Sequence, residues 1–393
     1  TFEGHAFHTS RWDYDYTGGD PAGGPLDRLG DKRVAIIGTG ATAVQCVPHL
    51  ARACRELYVF QRTPSSVDVR DNQPTDMEWF EREVAGEGWQ KRWMENFCTL
   101  QTGGFADDDL VGDGWTDIAR RVRDRVIAKA TDGITADLLT EAFDDADFEK
   151  MDEIRARVDE VVDDPATAAA LKAWYRQLCK RPTFHDEYLQ AYNEPGVTLV
   201  DTDGQGVERI TPTGVVVAGR EYEVDCIVYA SGFEVGTAHA DRAGFDLVGR
   251  DGMRLSDHWA DGMRTLHGMH VHGFPNAFIV QLPHGANLIS NVPHNFTEAG
   301  RTIATVVAHA LEGGHAQVEA TPEAEQAWVD LLASGPGSIL GGPDCTPGYY
   351  NNEGMGATST NPISVGYPLG AAAFFEMIGA WRASGEFEGL TFR

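Results

Sequence analysis

The 393-residue sequence contains no run of 18 apolar residues, so no membrane-spanning helix is expected. It holds no CxxC pair. Its six cysteines, Cys46, Cys54, Cys98, Cys179, Cys226 and Cys345, are scattered. In a chain this long that spacing predicts no disulfide framework, and a cytoplasmic location is the simplest reading. No G-x-S-x-G occurs. "YASGF" around Ser231 reads as a strand-end turn, so a hydrolase would lack its nucleophile elbow. Positive charge is scarce: 32 Lys and Arg face 60 Asp and Glu, for a net charge of −28. That argues against nucleic acid and anionic membrane surfaces as partners, and an anionic ligand would need locally placed cations. No internal repeat or low-complexity segment is visible. The chain opens at Thr1 without Met, so the lack of a secretory leader says little.

The length suits two or three domains. Residues 13–32, "DYDYTGGDPAGGPLDRLGDK", are turn-rich and read as a linker. In "RVAIIGTGATAVQCVPHLA", a buried strand (34–37) meets a glycine turn, and a helix is expected over 41–53. The strand "ELYVFQR" follows, completing a β-α-β unit with a parallel sheet. Residues 67–179 are rich in Asp, Glu, Arg and Trp. "DIARRVRDRVIAKA" and "MDEIRARVDEVVDDPATAAALKAWYRQLC" space their apolar residues by three and four, which predicts a helical insertion. Within it, "ADDDLVGDGW" fails as a calcium loop: oxygen ligands would be needed at Val111 and Ile118, so it reads as a solvated acidic turn. Strands are expected again in "GVTLVDT", "GVVVAG" and "EYEVDCIVYASGF". Residues 234–393 mix a short strand, "AFIVQL", with helices such as "EAGRTIATVVAHALEG" and "PLGAAAFFEMIGAWRASG".

Gly38-Thr39-Gly40-Ala41-Thr42-Ala43 fits the G-x-G-x-x-G/A dinucleotide pattern between a strand and a helix. Gly38 would permit the tight turn, Gly40 close approach of a pyrophosphate, and Ala43 helix–strand packing. The phosphates would sit at the helix N-terminus. The next strand ends in "FQRTP". Arg62 and Thr63 stand where an NAD-binding fold usually has an acid, which favours the 2′-phosphate of NADP.

In "CKRPTFHDEY", Lys180 and Arg181 precede a proline. They read either as a surface turn or as a basic pair beside the cofactor. "LHGMHVHGF" carries His267, His270 and His272. On a strand only His270 and His272 would share a face, and no fourth ligand spacing is evident, so no metal is expected.

Phe2-x-Gly4-x-x-x-His8-x-x-x-Trp12-Asp13 resembles the F-x-G-x-x-x-H-x-x-x-W-[P/D] fingerprint of Baeyer–Villiger monooxygenases, flavoproteins that use NADPH and O2 to convert ketones to esters or lactones. "VFQRTP" resembles that family's NADP-phosphate segment, and "KRP" at 180–182 the segment with its catalytic arginine. "DCIVYASGF" resembles its D-x-[VIL]-[IV]-x-A-T-G-[FY] strand, with Ser231 in place of Thr before Gly232. "GFPNAFIVQLPHGANLISN" is similar to the segment that approaches the flavin, with Gln281-Leu282-Pro283 departing from Gly-Pro.

The resemblance implies an α/β protein. A Rossmann-like three-layer NADP-binding domain (33–66 and 180–232) would carry the helical insertion (67–179). An inter-domain linker with the fingerprint (1–32) would precede it, and the C-terminal part of an FAD-binding and substrate domain (233–393) would follow. It implies FAD and NADP as cofactors, and a ketone and O2 as substrates. Arg62, Thr63 and Lys180 would hold the 2′-phosphate, and Arg181 would be the essential cation for oxygen transfer by a flavin peroxide. His8 and Trp12 would act as a latch coupling NADP position to the flavin. Tyr349, Tyr350 and Asn351, in the loop 341–356, are candidate substrate contacts. A first dinucleotide motif for FAD and the family's active-site Asp are not found, so the chain is expected to be a C-terminal piece of an enzyme longer by roughly 150–200 residues, about one domain. Two alternatives stay open: a related N- or S-oxygenating flavin monooxygenase, and a non-catalytic NADP-binding fragment.

Overall fold

The computed structural model describes residues 1–101, 104, 106–130, 133–233, 237–281, 283–286, 291–335, 345–354 and 365–393. Two compact units divide the chain. One comprises Thr1–Pro74 and Lys129–Phe233, the other Thr75–Ala128 and Glu234–Arg393.

The first unit is α/β and centres on a five-stranded, all-parallel sheet. Its spatial order is His5–His8, Cys226–Tyr229, Arg33–Ile37, Glu56–Gln61, Val197–Asp201. Side chains alternate along a strand, so successive residues feed two cores. Val34, Ile36, Leu57, Val59, Cys226 and Val228 join Ala43, Val44, Val47 and Leu50 of the helix Ala41–Ala53. Ala35, Phe60 and Ile227 face the other way, into Val215 and Val217 of a three-stranded antiparallel sheet, Arg209–Ile210, Gly214–Val217 and Arg220–Glu223. Val34, Ile36, Val59 and Leu50 are fully buried. Each such side chain contributes about 1.5–3 kcal/mol, against about 0–1 for an exposed ion pair such as Arg52–Glu187, so burial decides this fold.

The expected strands and the helix at 41–53 are present, with three corrections. Residues 5–8, read as linker, are the edge strand of the sheet, paired in register with Cys226–Tyr229. "EYEVDCIVY" is two strands, not one: Arg220–Glu223 and Cys226–Tyr229. The break falls at Asp225, whose carboxylate accepts the Arg33 N–H at 2.8 Å and the Arg33 guanidinium. The segment 67–179 is helical, in Trp89–Gln101, Gly114–Lys129, Ala136–Val161 and Pro165–Leu171, but it is not one body. Residues 75–128 belong to the second unit and 129–179 to the first, and Val67–Asp68 pairs in parallel with Thr183–Phe184.

In the second unit, Val292–Glu312 packs against Gly370–Ser384, which also meets Trp89–Gln101. Asn291 caps the first of these by accepting the His294 N–H, and Thr321 caps Pro322–Ala333 in the same manner. Buried carboxylates tie the unit together. Glu325 holds His258, Arg264 and the His272 N–H, and Glu298 holds Arg301 and Arg382. "AFIVQL" forms no strand: Phe278 makes an isolated bridge to His270, and Leu282 lies outside the described residues. In the acidic turn, the Asp109 carboxylate accepts from Arg120 at 2.5 Å, Thr116 at 2.6 Å and the Gly112 N–H at 2.8 Å. No helix among the described residues is long and apolar enough to cross a membrane.

Candidate functional site

Ligands of open parallel sheets bind beyond the carboxyl ends of the strands. In the first unit those ends lead into Gly38, Arg62, Ala230 and, at the edge, Thr9. Gly38 has φ +113°, and its N–H donates to Phe60 O at 3.0 Å. A Cβ at Gly38 would collide with the Ala230 carbonyl, whose carbon would be 2.9 Å away, so this glycine lets two strand ends meet. Gly40 differs: a Cβ there meets nothing within 4 Å. It is the N-cap of Ala41–Ala53 and offers no side-chain cap, which leaves the first N–H groups of the helix available. Ala43 is fully buried in the core and Thr42 is exposed.

The glycine turn is laced to the loop after the third strand in the chain. Thr39 Oγ1 donates to Thr63 O at 2.8 Å, and Ser65 Oγ donates to Thr39 O at 2.5 Å. That loop is in turn held by the segment containing Lys180. The Tyr175 hydroxyl donates to Pro64 O at 2.7 Å and accepts from Ser66 N at 3.1 Å, and Lys180 Nζ stands 5.7 Å from the centre of the Tyr175 ring. Thr183 N donates to Ser66 O at 3.2 Å, which sets the exposed Arg181 two residues upstream of this joint. Backbone and side-chain bonds thus tie the Gly38–Thr42 turn to the loop that follows Arg62 and Thr63, and that loop to the segment bearing Lys180 and Arg181, while Ser231 N lies beside Gly38. Sequence reasoning missed Ser65 and Tyr175: a serine after "RTP" and a tyrosine five residues before Lys180 give no signal without the fold.

The second unit separates the other candidates. His267 is buried edge-on between Trp328 (4.8 Å) and Trp381 (5.0 Å), and His270 lies against Phe278, while His272 Nδ1 pairs with Ala320 O at 3.0 Å. Burial pushes His267 down to about 3, with the nearby His270 adding to it, and pushes His270 down to about 4. No metal-binding group of three or more His, Cys, Asp or Glu occurs among the described residues. Tyr349 and Tyr350 meet edge to face at 4.5 Å. Asn351 does not offer its amide to a substrate. Its Oδ1 accepts from Gly348 N and Gly354 N, and its Nδ2 donates to Cys345 O and Thr346 O, so the amide builds its own loop. Residues 341–344 and 355–356 of the expected loop lie outside the described residues.

No family model matches the chain. It is 48% identical, over 398 residues, to pentalenolactone D synthase of Streptomyces exfoliatus, covering 100% of this chain and 67% of that protein. It is 47% identical, over 389 residues, to a Baeyer–Villiger monooxygenase of Streptomyces coelicolor, covering 97% of this chain and 62% of that protein. The solved polycyclic ketone monooxygenase of Thermothelomyces thermophila superposes with a TM-score of 0.86 at 40% identity, covering 100% of this chain and 64% of that one. The chain belongs to the Baeyer–Villiger monooxygenase family. It spans about two thirds of the length of these relatives.

The Baeyer–Villiger fingerprint has a physical reading here. Phe2 packs on the core shared with the antiparallel sheet, and its ring lies across Gly4. His5 Nε2 bonds Asp13 Oδ2 at 2.9 Å and stacks on Tyr16 at 4.0 Å. Asp13 caps the short helix Tyr14–Thr17 by accepting the Tyr16 N–H, the main cause that holds its carboxyl below the ordinary range. Trp12 Nε1 donates to Thr17 Oγ1 at 3.0 Å, with the ring edge-on to Phe7. His8 ends the edge strand opposite Tyr229, and its ring meets Phe233 at 5.3 Å. Of these motif residues, His8 is the one carried to the carboxyl edge of the sheet, while the others hold its strand in place.

Proposed function

We propose that this chain forms the Rossmann-like NADP-binding part of an FAD-dependent monooxygenase that inserts oxygen beside the carbonyl of a ketone, giving an ester or lactone. The observation that carries the reading is the lacing of the Gly38–Thr42 turn to the loop bearing Arg62 and Thr63, with Lys180 held over Tyr175 beside it. The open space at Gly40 and the uncapped helix N-terminus fit a pyrophosphate. Arg62, Thr63 and Lys180 would take the 2′-phosphate, which an acid at the strand end would repel. Similar solved structures include a steroid monooxygenase bound to NADP and a complex with FAD and NADP, which supports the same cofactors here. When bound, NADPH supplies hydride and FAD supplies oxygen activation. The Arg181 guanidinium would stabilise negative charge developing on the ketone oxygen. Likeness to a polycyclic ketone monooxygenase supports a cyclic ketone as substrate. Cys46, Cys54, Cys98 and Cys226 are free thiols, but Cys179 and Cys345 are disulfide-bonded, against the expectation of no disulfide framework, so cysteine usage does not argue for a reducing compartment.

Titration of the chain with NADP+ and NAD+ tests the cofactor assignment. NADP+ should bind at least about tenfold tighter, and equal affinities overturn the 2′-phosphate site. Product analysis of the holoenzyme with a cyclic ketone, an amine and a sulfide tests the reaction. Lactone formation is expected. Oxygenation of only the amine or sulfide establishes the N- or S-oxygenating alternative instead.

A further inference from the structure

Arg62 is exposed and Thr63 half-buried, and a phosphate site needs its cations held in place before the ligand arrives. Two anchors fix the Arg62–Thr63 loop. One is the glycine turn, through Thr39 and Ser65. The other is a single side chain from about 110 residues further along, Tyr175. It is 8% exposed, its hydroxyl donates to Pro64 O at 2.7 Å, and the same oxygen accepts from Ser66 N at 3.1 Å. One phenol thus bridges the backbone on both sides of Ser65, directly after Arg62-Thr63. Burial pushes the phenol upward, so it stays protonated and keeps donating to Pro64. The face of the same ring holds Lys180, whose Nζ is 5.7 Å from its centre, a cation–π distance. The ring therefore joins the two segments that bear the phosphate-binding groups: its hydroxyl sets the Arg62–Thr63 loop and its face sets Lys180.

We infer that Tyr175 is a positioning residue for 2′-phosphate recognition, which makes the preference for NADP over NAD depend on a side chain that need not touch the cofactor. This rests on the NADP reading above. Its prediction is selective. Losing the clasp harms mainly the part of the site that meets the 2′-phosphate, because the pyrophosphate is met by the Gly38–Thr42 turn, which the Gly38 N–H bond to Phe60 O and the close approach of Ala230 hold independently.

The experiment is titration of the wild-type chain and the Tyr175→Phe variant with NADP+ and with NAD+, following bound cofactor by calorimetry. Phe keeps the packing and the ring face and removes only the hydroxyl. NADP+ affinity should fall on the order of tenfold while NAD+ affinity holds, the size of one charge-assisted hydrogen bond. Tyr175→Leu, which also removes the ring, should lose more of the same preference. In the Tyr175→Leu background, Lys180→Ala should cost less than it does in the wild type, because the ring face that places Lys180 is already gone. Unchanged selectivity in both Tyr175 variants overturns the inference. So does an equal loss for both cofactors, which is the signature of a merely structural tyrosine. A wild-type chain with no preference for NADP+ instead overturns the NADP assignment itself, so the two failures are distinguishable.

Discussion

The ring of Phe2 fills the space that a side chain at Gly4 would need: a Cβ there would stand 2.6 Å from Phe2 Cε1 and 2.8 Å from Asp225 O. Two residues of the fingerprint are thus one packing unit at the start of the edge strand. Gly4→Ala should destabilise the chain by about 1–3 kcal/mol, the usual cost of overpacking, measured by urea unfolding. Phe2→Ala should relieve part of that cost, since the Asp225 carbonyl remains in the way. A neutral Gly4→Ala would remove this explanation of the motif.

The two glycines of the turn should respond oppositely. Gly38 combines φ +113° with the Ala230 carbonyl against its α-carbon, so Gly38→Ala should cost several kcal/mol of stability. Gly40 has φ −72° and open surroundings. Gly40→Ala should leave the unfolding free energy within about 0.5 kcal/mol of wild type and weaken NADP+ binding by blocking backbone approach. Thermal unfolding together with cofactor titration separates the two, and a Gly40→Ala chain that binds NADP+ normally would argue against the pyrophosphate assignment.

Acid stability should be set by buried histidines. Burial lowers His267 to about 3 and His270 and His284 to about 4, below the unfolded value of about 6.5. The unfolded chain therefore takes up protons first as pH falls. Stability present above about pH 6.5 is lost progressively toward about pH 3, by a few kcal/mol for each histidine. His270→Phe should flatten this slope, read from urea midpoints between pH 7 and 4. Glu325 acts in a lower window. Burial raises its carboxyl, but the bonds from His258 and the His272 N–H, with the charges of His258 and Arg264, outweigh this and hold it below the ordinary value of 4.5. Its contribution is present above about pH 4.5 and goes only as pH falls further. A slope confined to pH below 4.5 in the wild type would exclude the histidines as its source.

Arg181 should matter to oxygen transfer and not to reduction. In the holoenzyme, Arg181→Ala should keep NADPH-driven flavin reduction within about twofold of wild type and lower ester or lactone formation by at least about 100-fold. Arg181→Lys should recover part of the product, because a lysine restores charge without the planar fork. A normal product yield from Arg181→Ala would sink the assignment.

Periodicity made the helix Ala41–Ala53 and the strands around it legible, because a buried parallel strand and an amphipathic helix each write their burial into consecutive residues. His5–His8 stayed hidden among turn residues. Four residues at a sheet edge carry too little apolar pattern, and their pairing with Cys226–Tyr229 lies more than 200 residues away. Asn351 misled for a related reason. An amide in a glycine-rich loop reads as a free polar group until the four backbone partners that consume it are seen.

The amino-acid sequence by itself determined the local elements, the glycine turn and the chemistry of each candidate side chain, because these follow from spacing and residue type within a few positions. Only tertiary structure decided which groups meet. It showed that Tyr175 clasps the Arg62–Thr63 loop and carries Lys180, that the fingerprint builds an edge strand ending at His8, and that His267 and His270 are buried among aromatic rings while His272 pairs with Ala320 O. Those outcomes depend on contacts between segments far apart in the chain, whose register is set by the burial of the whole sheet and core.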